Sequence, residues 1–154
     1  TSCCCVTGVQ TCALPICHCT LCQRQTGSTS VVNMFVEGDK LHQLSGETVR
    51  HVVKSGSGGD HVIVRCTACG TALWSFYPRM GQLGAGVRVG TLDDPGMVRP
   101  DAAIFVADRM PWVTLPEGIP QFETVYNPAE LLPPERLQRL TALIERAKAL
   151  RAQG

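Results

Sequence analysis

Three thiols fall within six residues at Cys17-His18-Cys19-Thr20-Leu21-Cys22, answered downstream by Cys66-Thr67-Ala68-Cys69-Gly70 and, at the start, by Cys3-Cys4-Cys5. Thiolate sulfur is a soft ligand that selects zinc or iron-sulfur chemistry over hard cations, and two cysteines two residues apart can close on one ion from a single tight turn. Free cysteines also pack well as small hydrophobes. Nine cysteines in 154 residues, most of them at ligand spacing, point to metal instead. Adjacent side chains diverge in an extended segment, so Cys3 and Cys5 can share an ion more easily than Cys4 can join them. The first residues show no basic segment followed by an apolar one. With an odd cysteine count, this sets the expectation of a reducing, cytoplasmic compartment, where clustered thiols mean metal rather than disulfides.

The elements that must position these thiols are those of one ordinary domain. A hydrophobic fraction of 44% against 18% charged residues describes a chain able to bury a core, and its longest apolar runs fall short of a membrane span. The net charge of +1 offers no field for a polyanion, so neither nucleic acid nor membrane is an expected partner.

Short apolar runs at 31–36, 41–44, 48–54, 61–65, 71–76, 87–89, 103–106 and 112–115, separated by Gly, Pro, Asp and Ser, predict a mainly β domain. Residues 23–28 read as a turn, with Gly27 available for a positive φ. Gly70 closes a knuckle between two strands in the same way. Residues 6–16, VTGVQTCALPI, show no sustained alternation, and Pro15 is expected to cap a turn rather than pair in a sheet. The same string resembles the in-frame translation of a sequencing-library adapter, so residues 6–16 are expected to stand in place of native ones, with Cys12 incidental. The helix comes last, at 135–152. Leu137, Leu140, Ile144 and Ala147 share a face that Leu143 and Leu150 widen, Glu135 can meet Arg139 one turn on, and the basic face reads as solvated. The domain is expected over 1–126, with a linker and amphipathic helix over 127–154.

Taken together, Cys3-x-Cys5, Cys17-His18-Cys19-x-x-Cys22 followed by Arg24 and Gly27, Cys66-x-x-Cys69-Gly70, Gly90-Thr91-Leu92-Asp93, Phe105-Val106 with Trp112, and Pro120-Gln121-Phe122 resemble the glutathione-dependent formaldehyde-activating family, also called the GFA or CENP-V type. The resemblance runs from about Cys3 to Phe122. It implies a β-tent, or Mss4-like, fold of short antiparallel strands with zinc knuckles and two zinc ions. It also implies that Cys3, Cys5, Cys66 and Cys69 hold a structural zinc, while Cys17, Cys19 and Cys22 hold a second one where glutathione chemistry takes place.

That chemistry is consistent with the donor sets. Four thiolates saturate zinc in a closed structural site, whereas three leave a position open. Cys17, Cys19 and Cys22 around Zn²⁺ carry a formal charge of minus one, a weak activator of water but a good holder of an incoming thiol. His18 alternates away from its cysteine neighbours and reads as a hydrogen-bonding residue behind the ligands. Arg24 is the candidate partner for an anionic peptide substrate. Asp93 and Asp94 are candidates to position a proton, although a DDPG sequence more often simply turns the chain. The expected function is that of a zinc-dependent carbon-sulfur lyase or synthase acting on a glutathione-aldehyde adduct such as S-hydroxymethylglutathione. The alternative is a non-catalytic zinc-stabilised β module that binds a protein or small thiol.

Overall fold

The computed structural model describes residues 11–153. Within them, seven strands form one sheet: β1 (Pro15–Cys17), β2 (Val31–Glu37), β3 (Thr48–Lys54), β4 (Asp60–Cys66), β5 (Ala72–Phe76), β6 (Gly84–Arg88) and β7 (Ala102–Ile104), in the order β3-β4-β5-β6-β2-β1-β7. All neighbours are antiparallel except β1 and β7, which run parallel. Three α-helices accompany the sheet: α1 (Thr20–Thr26), α2 (Pro128–Leu131) and α3 (Pro134–Ala152). The mainly β architecture with a terminal helix is thus as the sequence predicts. No helix among the described residues is long and apolar enough to cross a membrane.

Strand alternation separates two faces of different chemistry. On one, Met34 and Val36 of β2, Ala85 and Val87 of β6, Trp74 and Phe76 of β5 and Val64 of β4 make the main apolar core, joined by Leu14 and Cys66. On the other, the register pairs Asn33 with Arg88 and aligns Phe35, Gly86, Ser75 and Ile63 across four strands. This second face carries buried polar groups, because residues two apart share a face and His61 precedes Ile63 by two on β4. Strand β3 is the exposed edge, and the loop at 55–59 turns back through Gly58 and Gly59, both at positive φ.

Helix α3 closes the second face beyond Phe35. Leu140, Leu143 and Ile144 bury against Cys12, Ala13 and Met80, and each large side chain contributes about 2 kcal/mol by leaving water. Two arginines on the face expected to be solvated clamp this helix down. The Arg139 side chain donates Nε to Glu37 Oε1 at 2.7 Å and Nη2 to Oε2 at 2.5 Å, so its partner is on β2 rather than Glu135 one turn away. Likewise Arg136 pairs with Asp101, whose carboxylate also accepts the Leu14 backbone N–H. Forked guanidinium-carboxylate pairs across elements outcompete a single in-helix contact.

Several local expectations are corrected. Residues 41–44 and 112–115 form no strand; Leu44 and Trp112 are exposed rather than packed on the sheet. Residues 23–26 belong to a helix, not a turn, and only Gly27, at φ 64, ends it. Pro15 is a strand residue. It occupies the first position of β1, opposite Ala102, where a missing N–H costs no ladder bond. The described part of the VTGVQTCALPI stretch, residues 11–16, is built into the core: Cys12 is fully buried and its N–H bonds the Phe35 carbonyl at 2.7 Å.

Candidate metal centre

Cys17, Cys19 and Cys22 reach one point from two elements. Cys17 ends β1, aligned with Val31 of β2 and Ile104 of β7. The chain then leaves the sheet, and Cys19 becomes the N-cap of α1, with φ −60 and ψ 149 and its sulfur accepting the Cys22 backbone N–H at 3.4 Å. An N-cap and the third helical residue face each other across the first turn, so Cys-x-x-Cys here is a helix start whose cap is sulfur instead of oxygen. The three sulfurs lie within 4.8 Å of one another. Tetrahedral ligands about 2.3 Å from a zinc ion would have their sulfurs a little under 4 Å apart, a spacing inside that limit, so the set is compatible with zinc.

The surroundings hold the triad in place. Gln23, buried, donates its amide to the His18 carbonyl at 2.6 Å and to the Asp108 carbonyl at 2.9 Å, tying α1 to the segment after β7. Thr26 bonds back to the Cys22 carbonyl at 2.9 Å. Val31, Ile104, Phe105 and Phe122 form an apolar wall around the sulfurs. Phe105 holds φ 54, the only positive value outside glycine among the described residues. A bulky side chain rarely adopts that conformation unless its surroundings fix it, and here its N–H bonds the Thr124 carbonyl at 2.9 Å.

Protons on the triad are unequally shared. Hydrogen bonds from Cys17 and Cys22 pull the Cys19 thiol far below its ordinary range. Cys17 is pushed up by its bonds to Cys19 and Cys22 and by burial. Cys22 is drawn down by Cys17, but its bond to Cys19, burial and the Cys19 charge outweigh that and raise it. The Cys19 sulfur is also the one that faces a helix-start N–H, which favours its ionised form.

His18 is 1% exposed and sits outside this sulfur group, its Nδ1 donating to the Thr29 carbonyl at 3.2 Å. Burial pulls its basicity down. The other sequence candidates are scattered. Cys3 and Cys5 lie outside the described residues. Cys66 is buried at the end of β4 and Cys69 is exposed on the knuckle, where the Gly70 N–H bonds the Cys66 carbonyl at 2.9 Å and Gly70 takes φ 73. Arg24 is exposed in the last turn of α1. Asp94 caps its own turn by accepting the Gly96 N–H, as a turn-former does.

Sequence reasoning missed a buried polar row on the second face of the sheet. Arg88, 5% exposed, donates to Asn33, and Asn33 donates to the Tyr77 hydroxyl at 3.3 Å. The His61 ring stacks on Tyr77 with centroids 4.1 Å apart. Gly86 makes room for this stack, since a Cβ there would meet the Phe35 and Tyr77 rings at 3.2 Å. Burial holds His61 down at about 4, assisted by the Arg88 charge and opposed by Cys19, and pushes Tyr77 up to about 12. The Arg88 charge also lowers Cys22 slightly, against the larger effects that raise it. Among the described residues, both His61 ring nitrogens, the Ser75 hydroxyl and Arg88 Nε are buried without a hydrogen-bond partner. The available signal was a charged or titratable residue at an inward position of an apolar run, His61 in HVIVR and Arg88 in VRV.

A cavity of about 500 Å³ opens between α1 and the knuckle, lined among others by Gln25, Thr26, Val31, Arg65, Cys69 and Arg88. A family model described as glutathione-dependent formaldehyde-activating enzyme matches residues 2–108, more than half of the chain. No curated protein matches in the corresponding comparison.

Proposed function

This chain belongs to the glutathione-dependent formaldehyde-activating family, and from that premise we propose that it is a zinc-dependent carbon-sulfur lyase or synthase acting on a glutathione-aldehyde adduct such as S-hydroxymethylglutathione. The observation that carries the proposal is the convergence of three, and not four, sulfurs among the described residues. Cys17, Cys19 and Cys22 would hold the zinc. When bound, the zinc supplies an open position that keeps an incoming thiol as thiolate near neutral pH.

The chain's own residues do the rest. The wall of Val31, Ile104, Phe105 and Phe122 helps keep bulk water from the buried Cys17 and Cys22, which strengthens charge interactions there. The Arg88 charge favours the ionised form of Cys22, as the smallest of the influences on that thiol. In the forward direction the substrate sulfur forms a bond to the aldehyde carbon, the carbonyl π pair moves to oxygen, and that oxygen takes a proton. Cleavage of the adduct is the reverse, and returns the free thiol and the aldehyde.

X-ray absorption at the zinc edge, with and without glutathione, tests this reading. The expected change is from three sulfur neighbours plus one light atom to four sulfurs, with an analogue carrying a methyl in place of the thiol binding much more weakly. Four protein ligands before glutathione is added, or equal binding of the two compounds, would leave the β module that only binds a thiol or a protein.

A further inference from the structure

Arg136 and Arg139 each meet a carboxylate in a close ion pair. The two arginines of the cavity do not. Arg65 spends its guanidinium on neutral oxygens, Nη1 on the Gly70 carbonyl at 2.9 Å and Nη2 on the Gln25 carbonyl and side-chain oxygen, both at 3.1 Å. Arg88 is bonded to the amide oxygen of Asn33, and its Nε is buried without a partner among the described residues. Among the described residues no Asp or Glu lines the cavity, while Gln25 and Thr26 add neutral polar groups to its wall. Arg88 is buried and Arg65 half-buried, and a guanidinium held only by neutral oxygens keeps its charge for a carboxylate, which its fork can meet in two parallel bonds. Arg65 is pre-positioned for this. It bridges α1 and the knuckle, so its charge is fixed in place and left unneutralised.

The cavity also shares a wall with the triad. Val31 lines it and packs against Cys17 and Cys22, and Thr26, on the same lining, bonds the Cys22 carbonyl. A volume of about 500 Å³ lies within the usual range for a small-molecule site. We infer that this cavity is the peptide subsite, in which Arg65 and Arg88 receive a carboxylate of the thiol substrate whose sulfur is directed to Cys17, Cys19 and Cys22. The inference rests on the reading that a glutathione-type thiol is the substrate. It assigns anion recognition to two residues of the sheet, one of which spans to the knuckle.

The test compares glutathione with its glycyl monoethyl ester by titration calorimetry on the zinc-loaded full chain, in wild type, Arg65→Gln, Arg65→Lys and Arg88→Lys. A charge-assisted bond to a carboxylate sets the expectation that the ester binds wild type about tenfold more weakly. In Arg65→Gln glutathione should fall to the level of the ester, with Arg65→Lys restoring part of the difference. Should Arg88→Lys not fold, Arg65 decides alone. Undiminished discrimination in Arg65→Gln overturns the inference. Cobalt substitution tells this failure from failure of the substrate reading. If an uncharged thiol shifts the cobalt-thiolate band as glutathione does and Arg65→Gln changes nothing, the subsite is wrong and the reading stands. If no thiol shifts the band while Arg65-dependent discrimination persists, the subsite stands and the reading is wrong.

Discussion

Cys19 and Cys22 open a helix, whereas Cys66 and Cys69 sit on the knuckle of a hairpin, although each pair has the same spacing and each is followed by a glycine at positive φ. The distance to that glycine marks the difference. Gly70 comes directly after Cys69 and turns the chain into β5, so the Cys66 N–H and the Thr71 carbonyl can pair at 3.0 Å. Gly27 comes five residues after Cys22, and the intervening residues continue the turn that the Cys19 cap began. Burial differs accordingly. Cys17 and Cys22 are buried and gathered with Cys19, while the knuckle shows one buried sulfur and one exposed. A pair on a knuckle supplies two ligands and needs others to close a site. A helix start that follows a strand-end cysteine supplies three.

The largest effect should come from Cys66→Ser. If the knuckle holds a closed zinc together with Cys69, this substitution should remove one metal and leave the chain largely unfolded, a loss of several kcal/mol. Elemental analysis and circular dichroism read both outcomes, and a folded variant with unchanged zinc would remove the knuckle from the metal account. Cys19→Ala should behave differently. It should remove the triad's metal and the preference for thiols together, yet cost only about 1 kcal/mol of stability, the usual price of a lost helix cap. Equal destabilisation by the two substitutions would erase the distinction between a structural and an open site.

Acid tests the clamp on α3, read as the difference between wild type and Glu37→Gln because zinc-bound thiolates also take up protons over this range. The hydrogen bond from Arg139 holds the Glu37 carboxyl below its ordinary 4.5, at about 2. Folding is therefore favoured above pH 4.5, where the carboxylate is charged in both states, and this contribution is lost as pH falls toward 2. On the order of 2 kcal/mol should disappear over that window. Chemical denaturation at a series of pH values should show a flatter dependence in Glu37→Gln, and an unchanged slope would mean that the Arg139 clamp does not hold α3.

The smallest effects should come from the glycines. Gly27→Ala and Gly70→Ala each place a side chain in the left-handed region with nothing within 4 Å to obstruct it, so each should cost about 1 kcal/mol from backbone strain alone. Thermal melts should show similar losses. Zinc retention under a chelator should separate them. Gly70→Ala disturbs the residue next to Cys69 and should release metal sooner, whereas Gly27→Ala, a turn beyond Cys22, should not.

The sequence by itself determined the sulfur positions, the β-rich punctuation and the terminal helix, because these depend on local spacing, on alternation and on glycine or proline at fixed offsets. Cys-x-Cys-x-x-Cys is a ligand pattern before any fold is known, and strands β2 to β5 followed from apolar runs between turn residues. Other features depended on which strands lie side by side. Arg139 and Glu37 are 102 residues apart, as Arg88 and Asn33 are 55, and nothing local announces either pairing. The sequence offered Arg24 as the anion partner since it lies next to the thiols in the chain. Only the tertiary structure put Arg65 and Arg88 on the cavity beside them, because a sheet brings together residues that share a face and a register, however far apart they are in sequence.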